Sequence, residues 1–249
     1  MKIDTEALNV LDQCTVDGNI LFLPSIQLER KLYEKVNKVL ECLGGKWNRS
    51  KRGHIFANNP AEMIEEAILT GEVTDAKKEF QFFETPDVIA KQMIDLAEIT
   101  VDDKVCEPSA GRAAIAKHIP FKGNLIVCEL NRENVEFLMS SGYIVLDGDF
   151  LTKKFSVDKF VMNPPFSKQQ DIDHVLHAWE LLKSGGRLVA IMSEGTFFRE
   201  NKKAVDFRKL LRQVGYSIPN DDGAFKESGT MVKTRIVVMM KEVHPNENI

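Results

Sequence analysis

From residue 80 onward, helical segments alternate with short apolar runs, and this alternation constrains the fold more than any other feature of the sequence. Such alternation is typical of a parallel sheet whose two faces are covered by helices. The apolar runs predicted to be strands are residues 104–107, 125–129, 143–146, 159–162, 187–192 and 234–240. We therefore expect an α/β fold with a doubly wound, mostly parallel sheet. The last strand is expected to pair antiparallel with a segment near residues 224–226.

Residues 1–75 are expected to form a separate, small α+β unit before the main domain at residues 80–249. Apolar residues at intervals of three and four predict a helix over residues 28–43. Two short strand-like pieces around a polar turn predict a basic hairpin over residues 46–56. A further helix is predicted over residues 60–70, between a capping asparagine and a terminating glycine.

Composition excludes several classes of protein. No apolar run approaches the roughly 18 to 20 residues that span a bilayer, and the first residues lack a signal pattern, so a soluble, cytoplasmic protein is expected. The four cysteines form no Cys-x-x-Cys pair, so we expect buried free thiols and neither a zinc site nor a disulfide framework. Because the formal net charge is −4, the average field does not attract nucleic acid. Any contact with nucleic acid must come from a local basic patch.

The first strand runs directly into a candidate cofactor loop that contains Gly111. In a doubly wound sheet, the ligand crevice lies beyond the carboxyl ends of the strands, and a glycine in the first turn lets a nucleoside approach the backbone. No Gly-x-Gly-x-x-Gly pattern and no phosphate-binding loop ending in Gly-Lys-Ser/Thr occurs. A dinucleotide or a nucleoside triphosphate is therefore poorly supported, and a cofactor without a pyrophosphate is expected.

Two acidic residues follow the next two predicted strands. Glu129 ends the second strand, where a carboxylate can accept hydrogen bonds from ribose hydroxyls. Asp149 follows the third strand and is placed to receive the exocyclic amino group of an adenine. Taken alone, an aspartate in such a sequence is more typical of a turn.

The most specific signal is Asn163-Pro164-Pro165-Phe166, directly after the fourth predicted strand. The two prolines fix the backbone and donate no amide hydrogens, so carbonyl groups and the Asn163 amide oxygen remain as fixed acceptors. An amine held against two such acceptors can direct its lone pair at an electrophile without a metal. Two prolines alone would favour a rigid exit from the strand, but their place beside the predicted crevice favours catalysis.

Residues 80–241, about two thirds of the chain, resemble the class I S-adenosylmethionine-dependent methyltransferases, and among them the amino-methyltransferases marked by an Asn/Asp-Pro-Pro-aromatic motif. The resemblance implies a Rossmann-like sheet of seven strands with the last strand antiparallel, and S-adenosylmethionine as the cofactor. One departure is Ala113, which stands where many relatives have glycine.

The resemblance also implies roles for individual residues. The cofactor would be contacted by the following residues: Phe83, Thr85 and Pro86 at the methionine part, the first cofactor motif Glu107, Pro108, Ser109, Ala110 and Gly111, Glu129 at the ribose, Asp149 and Phe150 at the adenine, and Asn163 of the catalytic loop. The catalytic residues would be Asn163, Pro164, Pro165 and Phe166.

The tetrapeptide narrows the class of substrate to amino nitrogens but does not identify the substrate. Similar loops in related enzymes methylate adenine N6 in DNA, exocyclic amines of RNA bases, or glutamine side chains of proteins. Phenylalanine in the fourth position occurs in the DNA and RNA groups, which favours a nucleobase. A base within a duplex would have to be flipped into the crevice and would stack on Phe166. Phe197 and Phe198 are expected to be additional walls.

We expect no recognition domain after the last predicted strand, so the N-terminal unit is the candidate reader of nucleic acid. Its hairpin combines four basic residues with one aromatic residue and no acid: Lys46, Trp47, Arg49, Lys51 and Arg52. This combination suits phosphate contact plus stacking. The alternative is a solvated hairpin whose tryptophan lies in the core.

The leading hypothesis is an N6-adenine DNA methyltransferase of the kind found in restriction-modification systems, with DNA favoured over RNA as the partner. Methylation of RNA bases or of protein glutamine remains open, as does a module that binds cofactor or nucleic acid without turnover. His174 and His177 lie three residues apart on a predicted helix, but no third ligand is evident, so no metal is expected.

Overall fold

The structure, a computed structural model, describes residues 1–73, 84–228 and 231–243. The chain divides into two units. The N-terminal unit comprises Met1–Phe80 together with Phe197–Asn201, and the C-terminal unit comprises Gln81–Thr196 and Lys202–Ile249. The domains predicted from the sequence, residues 1–75 and 80–249, stay a prediction. The return of the chain to the N-terminal unit at residues 197–201 was not predicted.

The N-terminal unit combines three helices with a four-stranded antiparallel sheet of strand order β1-β2-β4-β3. Its elements are α1 (Thr5–Asp12), β1 (Thr15–Asp17), β2 (Ile20–Phe22), α2 (Arg30–Cys42), β3 (Lys46–Asn48), β4 (Gly53–Ile55) and α3 (Ala61–Thr70). The predicted helices and the basic hairpin are confirmed. The strands β1 and β2 were missed because three residues carry too little periodicity to predict a strand.

A buried arginine holds residues 197–201 in the N-terminal unit. Arg199 is 1% exposed, and its Nε lies 3.1 Å from Asp12 Oδ1. Its Nη2 donates to Glu65 Oε1 over 3.1 Å. A buried guanidinium group requires such carboxylate partners, because removal from water is costly for an uncompensated charge.

Phe198 packs against the hydrophobic core of the N-terminal unit. The neighbouring Arg199, through its ion pairs, holds the segment in that unit. The role of Phe198 as a wall for the substrate stays a prediction. Phe197 lies in the same short segment.

The C-terminal unit contains a seven-stranded sheet of strand order β10-β11-β9-β8-β5-β6-β7. Its strands are β5 (Val105–Pro108), β6 (Leu125–Glu129), β7 (Ile144–Asp147), β8 (Val157–Met162), β9 (Leu182–Ser193), β10 (Gly215–Pro219) and β11 (Thr234–Met240). The helices are α4 (Asp87–Ala97), α5 (Arg132–Ser140), α6 (Gln170–Leu181), α7 (Gly195–Phe198), which runs into the N-terminal unit, and α8 (Lys202–Val214). Strands β5 to β9 pair in parallel, whereas β11 is antiparallel to both neighbours. The predicted fold class is confirmed.

The predicted partner of the last strand is wrong. β11 pairs with β9 and with β10, whereas residues 224–226 lie in a turn. The strand β10 follows α8 directly, and its first residue, Gly215, has no side chain to keep the two strands apart. A Cβ atom at Gly215 would lie 1.9 Å from the Val238 carbonyl oxygen.

The segment after β5 departs from the alternation of helix and strand that the sequence predicts. The segment forms turns and one short 3₁₀ helix, Ala116–His118. Ile119, which follows it, adopts an extended conformation with ψ 121°. Pro120 accounts for this ending, since the residue before a proline is disfavoured in the helical region.

The four cysteines are free thiols, as predicted. Cys106 and Cys128 are buried on neighbouring strands, whereas Cys42 is exposed at the end of α2, contrary to the expectation of burial. Within the described ranges, none of the helices combines the length and the apolar character needed to cross a membrane.

The strand order positions the site. The chain runs from β5 outward to β6 and β7 and then returns to form β8 on the other side of β5. Such a reversal is the switch point at which doubly wound sheets bind ligands, beyond the carboxyl ends of the strands. The loops after β5 and β8 therefore leave the sheet side by side.

Arg199→Met should lower the free energy of unfolding by about 3–5 kcal/mol, because it leaves Asp12 and Glu65 without their buried cation. Lys209→Met is the matched control, since Lys209 pairs with Asp206 on an exposed helix surface. That change should cost less than about 1 kcal/mol. Urea unfolding of both variants measures the difference, and equal losses would contradict a structural role for the buried pairs.

Candidate active site

The loop after β5 bends through three left-handed residues. Ser109, Gly111 and Ala113 have φ angles of 55°, 55° and 65°. Only glycine adopts this conformation without steric cost, so Ala113 holds it at a cost of about 1–2 kcal/mol. A left-handed conformation accounts for the glycine that many members of the resembled family have at this position. In this protein, the loop has that conformation with alanine.

Glu129 fastens this loop to the next one. Its Oε2 accepts from the Gly111 amide over 2.7 Å, and its Oε1 accepts from the amides of Leu130 and Asn131 over 3.0 and 2.7 Å. A carboxylate offers about four acceptor positions, so three amide donors leave capacity for one more donor. The carboxylate therefore shapes the crevice and can still accept a hydrogen bond from a ligand hydroxyl.

Glu107 lies beneath the same loop and is 2% exposed. Its Oε2 accepts from the Ala116 amide over 2.7 Å. Burial raises the pKa of the Glu107 carboxyl to about 8, and the charge of Glu129 adds to the increase, while the hydrogen bond from Ala116 opposes it. Glu107 thus ties the end of the loop to β5 through the Ala116 amide, and its carboxyl is mostly protonated at neutral pH.

Asp149 and Phe150 occupy different environments at the end of β7. Asp149 is exposed, and its Oδ1 accepts from the Leu151 amide over 2.9 Å at the start of a 3₁₀ turn. The ring of Phe150 is buried against Phe160 and His177, with centroid distances of 6.0 and 5.0 Å. The turn-forming interpretation of Asp149 is therefore confirmed, and Phe150 is a core residue of the same corner.

The structure brings two predicted motifs together at Asn163. The side chain is half-buried, and its Nδ2 donates to Thr85 Oγ1 over 3.0 Å, although the two residues are 78 positions apart. Thr85 is buried and precedes Pro86 at the start of α4. This hydrogen bond sets the orientation of the Asn163 amide group. Phe83, the first residue of the motif that contains Thr85 and Pro86, lies outside the described residues.

The side chain of Phe166 is buried. The residue is only 7% exposed, and its backbone carbonyl accepts from the Gln169 amide over 3.1 Å. Pro164 is buried and Pro165 half-buried. The loop is therefore a tightly folded segment, and stacking of a base on Phe166 stays a prediction.

Sequence analysis missed Asp171, a buried residue five positions after the tetrapeptide. Burial raises the pKa of its carboxyl, and hydrogen bonds from Ser193, Thr196 and Ile172 oppose the increase. Nearby on α6, His174 Nδ1 lies 3.5 Å from Ser109 Oγ, and burial lowers the pKa of this histidine. The signal that could have found Asp171 is its place in line with the buried Val175 and Ala178 on the apolar face of α6.

The basic hairpin of the N-terminal unit is exposed, and this includes Lys46, Trp47, Arg49, Lys51 and Arg52. The alternative in which the tryptophan lies in the core is wrong, since Trp47 is 47% exposed and its ring meets His54 edge-on at 5.2 Å. Among the described residues, none of the four basic side chains has an ion-pair partner. Asn48 Oδ1 accepts from the Lys51 amide and orders the turn.

Within the described parts of the chain, no three histidine, cysteine, aspartate or glutamate residues cluster in a way that could hold a metal. His177 Nε2 lies 3.1 Å from the Lys153 carbonyl oxygen, which gives this histidine a structural partner.

No family model matches this sequence, and neither does any curated protein. Solved structures do match. The methyltransferase subunit of the type I restriction-modification system from Streptococcus thermophilus is 18% identical, with a TM-score of 0.56 over 76% of this chain and 51% of that chain. The M protein of the type I restriction enzyme EcoKI is 18% identical, with a TM-score of 0.55 over 86% of this chain and 55% of that chain.

The seven-stranded sheet has the Rossmann-like methyltransferase fold. Identity below one fifth shows this fold alone, and the chain spans about half the length of the two matched proteins. Activity and substrate must therefore be argued from the site.

Glu107→Gln tests the buried carboxyl through the pH dependence of stability. The unfolded chain ionises Glu107 near its ordinary pKa of 4.5, whereas the folded protein retains the proton up to about pH 8. The folded state binds more protons across this interval, so its stability falls as the pH rises. From about pH 6.5 to 8.5, the free energy of unfolding should fall by roughly 1–2 kcal/mol more in the wild type than in Glu107→Gln.

Urea unfolding at the two pH values measures this difference. Glu136→Gln, an exposed position on α5, is the control and should follow the wild type. Parallel pH dependence of the wild type and Glu107→Gln would show that Glu107 is ionised in the folded protein.

Proposed function

We propose that this protein is an S-adenosylmethionine-dependent methyltransferase that methylates an exocyclic amino nitrogen of a nucleobase, with adenine N6 in DNA as the substrate. The observation that supports this proposal is the hydrogen bond between Asn163 and Thr85 at the switch point of the sheet. It joins the proline-stiffened loop after β8 to the start of α4, beside the left-handed turn after β5.

The residues of the crevice fit the proposed cofactor. S-adenosylmethionine supplies a methyl group activated by a positively charged sulfur. The glycine turn at Gly111 allows close approach of a nucleoside, and Glu129 retains capacity to accept a hydrogen bond from a ribose hydroxyl. The absence of a pyrophosphate-binding pattern from the sequence agrees with a cofactor that carries none.

In the proposed mechanism, the Asn163 amide oxygen and the Pro164 carbonyl accept the two N–H groups of the target amine. With both hydrogens engaged by Asn163 and Pro164, the nitrogen lone pair would be oriented toward the activated methyl group that S-adenosylmethionine would supply. The bound cofactor would keep the electron pair of its S–C bond, and the amine would release one proton to solvent. Catalysis rests on position and on fixed dipoles.

The hairpin supports a nucleic-acid substrate. Its four exposed cations have no acidic partner among the described side chains, and the exposed Trp47 adds a surface on which a base can stack. The two matched structures are, by description, methyltransferase proteins of type I restriction systems, which favours DNA over RNA. Transfer of a labelled methyl group to separate pools of DNA, RNA and protein tests the substrate class directly.

Asn163→Ala should lower kcat by about 10²–10³-fold, because it removes one of two acceptors that fix the amine in the transition state. Cofactor affinity, measured by calorimetry, should change less than about threefold, since the Gly111 turn and Glu129 are untouched. Asn124→Ala is the control, an exposed asparagine that bonds to the Val101 carbonyl. Equal loss of cofactor binding and methyl transfer in Asn163→Ala would refute the assigned role.

Replacement of Arg49 and Lys51 by Ala should weaken binding to a duplex DNA of mixed sequence and flatten its salt dependence. Each lost phosphate contact should reduce the slope of log affinity against log salt by about 0.9. Arg30→Ala is the matched control, because Arg30 is an exposed cation of the same unit that pairs with Glu34. Fluorescence anisotropy at several salt concentrations measures the slopes, and the hairpin has no role if all three proteins share one slope.

A further inference from the structure

The segment between the tetrapeptide and α6 is strained. Lys168 and Gln169 have φ angles of 55° and 59° and ψ angles of 28° and 33°, so two consecutive residues other than glycine are left-handed. Each such residue is disfavoured, and a strained pair persists only when surrounding contacts fix it.

Asp171, two positions after this pair, anchors the first turn of α6. The residue is fully buried, and its Oδ2 accepts from the Ser193 amide, the Ser193 hydroxyl and the Thr196 hydroxyl over 3.0, 3.0 and 3.1 Å. Its Oδ1 accepts from the Ile172 amide over 3.1 Å. Ser193 ends β9, and Thr196 lies in α7. One carboxylate therefore ties the first turn of α6 to the carboxyl end of β9.

The catalytic loop is consequently fixed at both ends by neighbouring strands. Its first residue follows β8, and β8 pairs in parallel with β9. Its other end reaches β9 through Asp171. The backbone bond from the Gln169 amide to the Phe166 carbonyl connects the strained pair to the tetrapeptide. A shift of the first turn of α6 would therefore move the loop.

We propose that Asp171 is a positioning residue for methyl transfer, holding the strained Lys168–Gln169 pair, and through it the Asn163–Phe166 loop, in the geometry that transfer requires. The inference rests on the proposed function. Asp171 touches neither substrate nor cofactor in this scheme, because its oxygens are occupied by Ser193, Thr196 and Ile172. Its effect should appear in kcat, whereas the affinities for cofactor and nucleic acid should stay unchanged.

Thr196→Val tests the proposal with little risk to folding, because valine keeps the shape of threonine and removes one donor to Asp171. We expect kcat to fall about tenfold, since small displacements of catalytic groups carry penalties of this size or larger. The KM for nucleic acid and the Kd for S-adenosylmethionine should stay within about threefold of the wild type. Thr196→Ser keeps the hydroxyl and should restore kcat. Asp171→Asn, which puts an amide where three donors converge, should lower kcat further.

Hydrogen exchange supplies a second measurement that does not depend on turnover. The Gln169 amide, bonded to the Phe166 carbonyl, should lose protection in Thr196→Val and keep it in Thr196→Ser. Asp173→Asn is the control on the same helix, since Asp173 forms a half-exposed pair with Lys203. Wild-type kcat and unchanged Gln169 protection in Thr196→Val would overturn the inference. If the wild-type protein methylates neither DNA nor RNA nor protein, the proposed function is refuted. The exchange result would still show whether the contacts of Asp171 hold the Phe166–Gln169 hydrogen bond.

Discussion

The site depends on the reversal of strand order at β5. Because the chain builds β6 and β7 on one side of β5 and then β8 on the other, the loops after β5 and β8 separate from the sheet at one point. No local sequence signal brings Thr85, Gly111 and Asn163 together; the topology does so. The hydrogen bond from Asn163 to Thr85 then fixes an orientation that the strand ends alone leave free.

Buried carboxylates stabilise the loops around this point. Glu107, Glu129 and Asp171 each accept hydrogen bonds from backbone amides, and two of them connect loops that follow different strands. Amide donors compensate a buried carboxylate without a counter-cation, because each donates to an oxygen that has left water.

Much of the C-terminal unit was predictable because its strands are apolar runs bounded by turn residues. β6 and β11 match the predicted bounds, and the positions of Gly111 and Asn163 at strand ends followed from that pattern. The pairing of β11 was not predictable, since strand neighbours are set by tertiary packing and the Gly215 contact involves a residue far away in the chain. The hydrogen bonds of Asp171 to Ser193 and Thr196 were not predictable for the same reason, because these two partners lie more than 20 positions later. The place of Phe198 also depends on distant carboxylates, which pair with Arg199.

The net charge of the chain does not oppose the proposed contact with nucleic acid. At physiological salt, charges are screened over about 8 Å, and a strand advances about 3.3 Å per residue. The cations of the hairpin, Lys46 on β3 and Arg49, Lys51 and Arg52 in the turn, lie within seven positions of the chain and can therefore act on a bound phosphate backbone together. Attraction of nucleic acid therefore depends on exposed cations that lack acidic neighbours. The net charge of the whole chain has little influence on it.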